Sequence, residues 1–183
     1  MRRLLCNVVS VFLSLLRLLV LKCFHGGKIR FGLVERISPN VVIEMNRNAR
    51  MVLGDKVRVH SGSKLKVRDH AELTIGSNVR MNYNCIVVCH ERITIGERSE
   101  FGPSVYLYDH DHDYAAGLSA RKYKTAPICI GKDCWIGANT IILKGTNLGD
   151  NCVVGAGTIL KGNYPPNSLI VQKRETQVSN FKA

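Results

Sequence analysis

Between Val105 and Gly117 the chain reads VYLYDHDHDYAAG, which sets three aspartates and two histidines in five consecutive positions: Asp109, His110, Asp111, His112 and Asp113. Three readings fit such a set: metal ligation, proton transfer by an imidazole that titrates near neutral pH, and a solvated acidic loop. In an extended segment successive side chains alternate sides, so His110 and His112 share one face and the three aspartates take the other. The adjacent carboxylates are then poorly placed to orient either ring, and the expected orienting group is a backbone carbonyl or a carboxylate from elsewhere in the chain. A zinc site would need a third ligand, for which His90 is the nearest candidate. His25, His60 and His70 read as structural or solvated.

The elements that must position these residues are announced by a repeat. Aliphatic residues recur every six positions at Ile130, Ile136, Ile142, Leu148, Val154 and Leu160, and Gly131, Gly137, Gly149 and Gly155 follow four of them. With apolar residues at 45% of the chain, six such matches arise by chance about once in a hundred for a given phase. The period continues upstream, with phase shifts, through Leu53, Val59 and Leu65, through Ile75, Met81, Val87 and Ile93, and through Ile95, Phe101 and Leu107. The phrases ARMVLG, AELTIG, ERITIG and APICIG end at Gly54, Gly76, Gly96 and Gly131, so the intervals are 22, 20 and 35 residues. The long interval holds an insertion of about fifteen residues, and the histidines lie in it. A six-residue period of inward aliphatic side chains predicts an all-β solenoid whose coils have three flat sides and small residues or glycine at the corners.

Length and charge narrow the rest. The 183 residues suit one domain, and 26 Lys+Arg against 14 Asp+Glu give a net charge of +12, which favours an anionic partner. The basic residues are dispersed and carry no nucleic-acid recognition motif, so nucleic acid is not the expected partner. Seven scattered cysteines without a C-x-x-C pair exclude a disulfide framework and read as reduced packing residues. The N-terminus, MRRLLCNVVSVFLSLLRLLVLKCF, has a charge-free apolar run too short to span a bilayer. Its polar residues Arg3, Asn7, Ser10, Ser14 and Arg17 fall at helical spacing on one narrow stripe, which predicts a helix lying on an anionic membrane surface or packed on its own domain or another subunit. The domain expectation is a helix over 1–27, a solenoid over 28–167 with an inserted loop at 109–127, and a basic tail over 168–183. Clear repeat residues begin near Ile43, so the helix is expected to be dispensable for folding.

The segment IGKDCWIGANTIILKGTNLGDNCVVGAGTIL, within a resemblance that runs roughly from Ile43 to Asn167, resembles the left-handed parallel β-helix of the hexapeptide-repeat acyltransferases. Trp135-Ile136-Gly137-Ala138 and Gly155-Ala156-Gly157 carry the likeness most distinctly. It is nearest in style to the maltose, galactoside and capsule or exopolysaccharide O-acetyltransferases. That resemblance implies a cytoplasmic homotrimer, acetyl-CoA as co-substrate, a sugar or surface-polysaccharide hydroxyl as acceptor, direct transfer in a ternary complex, and no metal. It implies a histidine base, which a gap-free count from Ile95 places at His112 and a two-residue shift of the loop places at His110. On the acceptor side it points to Asn82 and Asn84, to Trp135 and to Asp109; a stacked asparagine that satisfies a turn is the other reading of the first two. Where relatives have an acidic residue shortly after, this chain has His90. On the donor side it points to Gly137 and Ala138, the latter's N–H facing the thioester carbonyl, and to Ala156, Gly157 and Lys161. The C-terminus departs from the family pattern, and Lys173 and Arg174 are candidates for the nucleotide phosphates or plain surface charge. The loop cations Arg121, Lys122 and Lys124 suit an acidic glycan, the nucleotide or a neighbouring subunit. The same fold also admits a zinc lyase and a non-catalytic assembly module.

Overall fold

The computed structural model describes residues 2–116, 122–173 and 175–179, with the backbone alone for 2–7. A helix, α1 (Arg2–His25), precedes a prism of parallel strands. The first face stacks Ile29–Arg30, Arg50–Leu53, Glu72–Ile75, Arg92–Ile95, Ile128–Ile130, Asn147–Leu148 and Asn163–Tyr164. A second seven-stranded face runs from Arg36–Ile37 to Leu169–Ile170, and a third, six-stranded, from Val42–Met45 to Ile159–Leu160. All pairings within these faces are parallel. This is the predicted left-handed parallel β-helix, of about six turns.

Every residue of the six-residue rows is buried, from Leu53 to Leu107 and from Ile130 to Leu160. The longer strands bury a second inward position as well, as Met51 and Leu65–Val67 show, so strand alternation runs inside the six-residue period. Each buried aliphatic side chain contributes roughly 1.5–3 kcal/mol.

The corners differ from the expectation that glycine turns them. Left-handed turns are held mostly by non-glycine residues, among them Lys56, Asn78, Arg98, Asp133, Asn151 and Asn167 along one edge. Each from Asn78 onward gives its N–H to a carbonyl of the preceding coil, at 2.8–3.0 Å. That cross-coil bond offsets the cost of the left-handed conformation. Gly96 serves close approach instead: a Cβ there would lie 2.5 Å from the backbone of Gly131.

The first coil begins at Ile29, well before Ile43, and α1 closes it. The polar stripe of the helix is its docking face. Ser14 is buried; its hydroxyl donates to the Ile37 carbonyl at 3.0 Å and accepts the Ile37 N–H at 2.8 Å. Arg17 donates to the carbonyls of Pro39 and Val41, and Leu18 joins the core. Packing on its own domain is therefore realised, while Val8, Val9, Phe12, Leu13, Leu16, Leu19 and Val20 stay exposed. The helix is also longer in apolar terms than its charge-free run suggests: Val8–Lys28 has the length and composition to cross a membrane. The side chains of Arg3 and Asn7, and the whole of Arg121 and Arg174, lie outside the described residues.

Candidate functional site

The inserted loop leaves the prism after Tyr106–Tyr108 on the third face and returns at Ile128 on the first. Ile95, Phe101 and Leu107 are all buried at their six-residue spacing, with no bulge between them. Inward alternation continues one step further, to Asp109, which is completely buried. Its carboxylate oxygens accept the N–H groups of His90 and Glu91, both at 2.8 Å, and its own carbonyl accepts the Ala126 N–H at 3.0 Å. Burial opposes ionisation of Asp109, but the contact with His110 and these N–H bonds outweigh it and hold the carboxyl below its usual range. A carboxylate so enclosed does not touch an acceptor; it anchors the loop, which corrects its placement among the substrate contacts.

Beyond Asp109 the loop is a hairpin, His110–His112 paired antiparallel with Tyr123–Thr125. The other two aspartates are spent on its shape: Asp113 meets Lys124 at 3.0 Å and Asp111 meets Lys144 at 3.7 Å. His110 is mostly covered. Its Nδ1 lies 3.4 Å from Asp109 Oδ1, so the adjacent carboxylate does come beside the ring, contrary to strict alternation, but without hydrogen-bond geometry. His90 stacks on the His110 ring at 3.8 Å and 25°. Burial, then the His110 charge, pushes His90 down to about 4, which leaves it neutral at pH 7. His112 is exposed and packs one side against Tyr123, with centroids 4.8 Å apart. Among the described residues no three His, Cys, Asp or Glu side chains group as metal ligands do. The stacked rings of His90 and His110 lie face to face rather than aiming nitrogens at one point.

Asn82, Asn84, Gly137, Ala138, Ala156 and Gly157 lie at a different edge, where the second face turns into the third, whereas Lys161 follows the third face and Lys173 the last strand. Backbone bonds run along one ladder, His60 to Met81, Asn82 to Phe101, Gly102 to Ile136, Gly137 to Val154 and Gly155 to Ile170. That ladder sets Asn82 in register with Gly102, Gly137 and Gly155, a row of three residues without side chains. A Cβ at Gly102 or Gly137 would meet the backbone of the next coil, at 2.7 and 2.5 Å, so these glycines let the coils close up along this edge beside Asn82. Ala138 borders this edge: its carbonyl accepts the Gly157 N–H at 2.7 Å, and its own N–H has no acceptor among the described residues. Ala156 packs against Gly137, where a Cβ would lie 2.5 Å from the Ala156 nitrogen. Trp135, 60% exposed, stands on the second face next to this edge. Asn82 Oδ1 accepts the Tyr83 N–H at 2.9 Å, and Asn84 sits in a left-handed turn with φ 60°, so the turn reading fits Asn84. Lys161 and Lys173 are exposed.

One thiol, that of Cys89, lies beside Asp109. Cys89 is buried, and burial with the Asp109 charge beside it raises its pKa well above the usual thiol value, which disfavours the nucleophilic thiolate.

Residues 127–161 match the family profile described as "Hexapeptide repeat of succinyl-transferase". Over that segment the chain carries a hexapeptide repeat. It is 35% identical over 98 residues to the galactoside O-acetyltransferase of Escherichia coli K12, covering 53% of this chain and 48% of that one. To the putative lipopolysaccharide biosynthesis O-acetyl transferase WbbJ of the same organism it is 27% identical over 119 residues, covering 60% and 61%. The chain thus spans about half to three fifths of these relatives' length. Among solved structures, a mutant of AntD, an N-acyltransferase from Bacillus cereus in complex with dTDP and coenzyme A, superposes with a TM-score of 0.66 at 19% identity, covering 80% of each chain. That likeness concerns the fold.

Proposed function

We propose that the chain is an O-acetyltransferase that moves acetyl from acetyl-CoA to a hydroxyl of a sugar or surface-polysaccharide precursor, within a homotrimer whose sites are shared between copies. The observation that carries this reading is a separation. The histidine hairpin and the Asn82–Gly137–Ala138 row occupy opposite edges of the third face, a strand of four residues apart, or roughly 13 Å. One copy does not bring its own base to its own row, whereas a neighbouring copy can. The names of the relatives supply the chemistry, and the Ala138 N–H, without an acceptor among the described residues, can receive the thioester oxygen.

In the proposed step His112 takes the proton of the acceptor hydroxyl as its oxygen attacks the acetyl carbon. Negative charge on the thioester oxygen is met by the Ala138 N–H. The new C–O bond forms, the C–S bond breaks, and the proton on His112 passes to the CoA sulfur. Asp109 and His110 act behind His112, the buried carboxylate fixing the root of the hairpin. We also propose that the exposed apolar side of α1, flanked by Lys22, rests on the cytoplasmic face of an anionic membrane.

Mixing tests the shared site. His112→Ala and Ala138→Pro chains are each expected to be nearly inactive alone and to regain acetyl transfer when co-expressed, because some interfaces then hold both intact edges. Failure of the mixed trimer to recover would mean that each copy is self-contained, and this reading would fall.

A further inference from the structure

A groove of about 570 Å³ lies between α1 and the second face, and its two walls are chemically opposite. The helix side presents Val8, Val11, Phe12 and Leu15. The prism side presents Arg36, Arg58 and Arg80, stacked in register on three successive strands, with Lys56 beside them. Like charges directly opposite on neighbouring strands, roughly 4.8 Å apart, repel. Among the described residues only the last arginine is relieved, by Glu100 at 3.1 Å. Among the described residues no ion-pair partner meets Arg36, Lys56 or Arg58.

We infer that this groove binds the lipid phosphate of a lipid-linked saccharide, with the hydrocarbon chain against α1 and the phosphate on the Arg36–Arg58–Arg80 ladder. The proposal rests on the acetyltransferase reading and names the form of its acceptor. From Val8 to Leu15 the helix wall runs about 10 Å, enough for the first eight or so carbons of a chain. A bare anion would leave that wall wet, and a bare hydrocarbon would leave three cations unpaired beside it; an anionic amphiphile satisfies both. The direction also fits. Outward residues on the second face continue from Arg80 to Glu100 and Trp135 in strand register, with Asn82 alongside. A saccharide attached to a phosphate at the ladder therefore extends toward Trp135, two strands or roughly 10 Å further. A free sugar would use neither the ladder nor the helix wall.

Farnesyl phosphate below its micellar concentration, titrated calorimetrically into the full chain, tests the site. It is expected to bind at least tenfold more tightly than farnesol or inorganic phosphate. Arg36→Glu with Arg58→Glu, and separately Phe12→Asn, should each weaken binding at least tenfold, with circular dichroism and CoA binding confirming the fold. Equal affinity for inorganic phosphate, no binding at all, or unchanged binding in both variants would overturn the proposal. So would loss of the oligomer in Phe12→Asn, because the groove would then be an interface between copies. Acetyl transfer to a soluble glycoside is followed in the wild-type preparation. Transfer without farnesyl phosphate binding refutes the lipid site alone, and binding without transfer to any hydroxyl refutes the enzyme reading and the acceptor role while the lipid site stands.

Discussion

His90 and His110, stacked at 3.8 Å, and His112, exposed beyond them, divide the labour of the loop at the scale of single residues. A base must reach its acceptor, and only His112 presents its ring to solvent. His112→Ala is expected to lower kcat roughly 10²–10⁴-fold, the range for a lost general base, with CoA affinity retained. His110→Ala should cost less and also loosen the hairpin, seen as faster amide exchange at 123–125. Near-normal turnover in the first variant and collapse in the second would exchange the two roles. His90 gives a separate pH signature. Its folded pKa of about 4 lies below its ordinary 6.5, so between those values the unfolded chain holds a proton that the folded chain refuses. Its contribution to stability is therefore present above pH 6.5 and lost as the pH falls toward 4. Thermal unfolding of His90→Gln across that window should show a shallower decline than wild type; an identical slope would rule the histidine out as its source.

At the scale of elements, the helix and the loop show what a sequence pattern carries and what it leaves open. The polar stripe on α1 is visible from spacing alone, yet spacing does not say whether polar residues face water or unsatisfied backbone. Here the open edge of the first coil supplies the Ile37 N–H and the carbonyls of Ile37, Pro39 and Val41, so Ser14 and Arg17 turn inward and the apolar side turns out. Removing residues 1–24 would uncover Ile29, Ile37 and Val41, which share the core with Leu18. The truncated chain should therefore melt at a clearly lower temperature, against the expectation that the helix is dispensable. An unchanged melting temperature would show that the first coil closes without it. The loop was legible as an insertion because it breaks the interval between APICIG and its predecessors. The anchoring role of Asp109 was not, since it depends on the backbone N–H groups of His90 and Glu91, brought there by stacking of the preceding coil.

For the whole molecule, the six-residue rows made the solenoid readable because each coil repeats one inward pattern, and Leu53 to Leu160 are buried as that pattern requires. The grouping of site residues onto two separate edges was not readable, because register between coils is set by strand pairing and not by sequence distance. The same geometry gives the molecule an orientation. In a trimer with parallel axes, the three α1 helices would sit at one common end and offer their exposed Phe12, Leu13, Leu16 and Val20 together, with the net charge of +12 drawing that end to anionic lipid. Binding to vesicles containing anionic phospholipid is therefore expected from the full chain. Replacing Leu13, Leu16 and Leu19, which are exposed and make no part of the buried core, with serine should weaken binding more than raising the salt does. Each buried methylene is worth about 0.8 kcal/mol, whereas surface charges are screened over about 8 Å at physiological ionic strength. Binding that salt abolishes and the serines leave intact would assign the attraction to the cations alone and lift the helices off the bilayer.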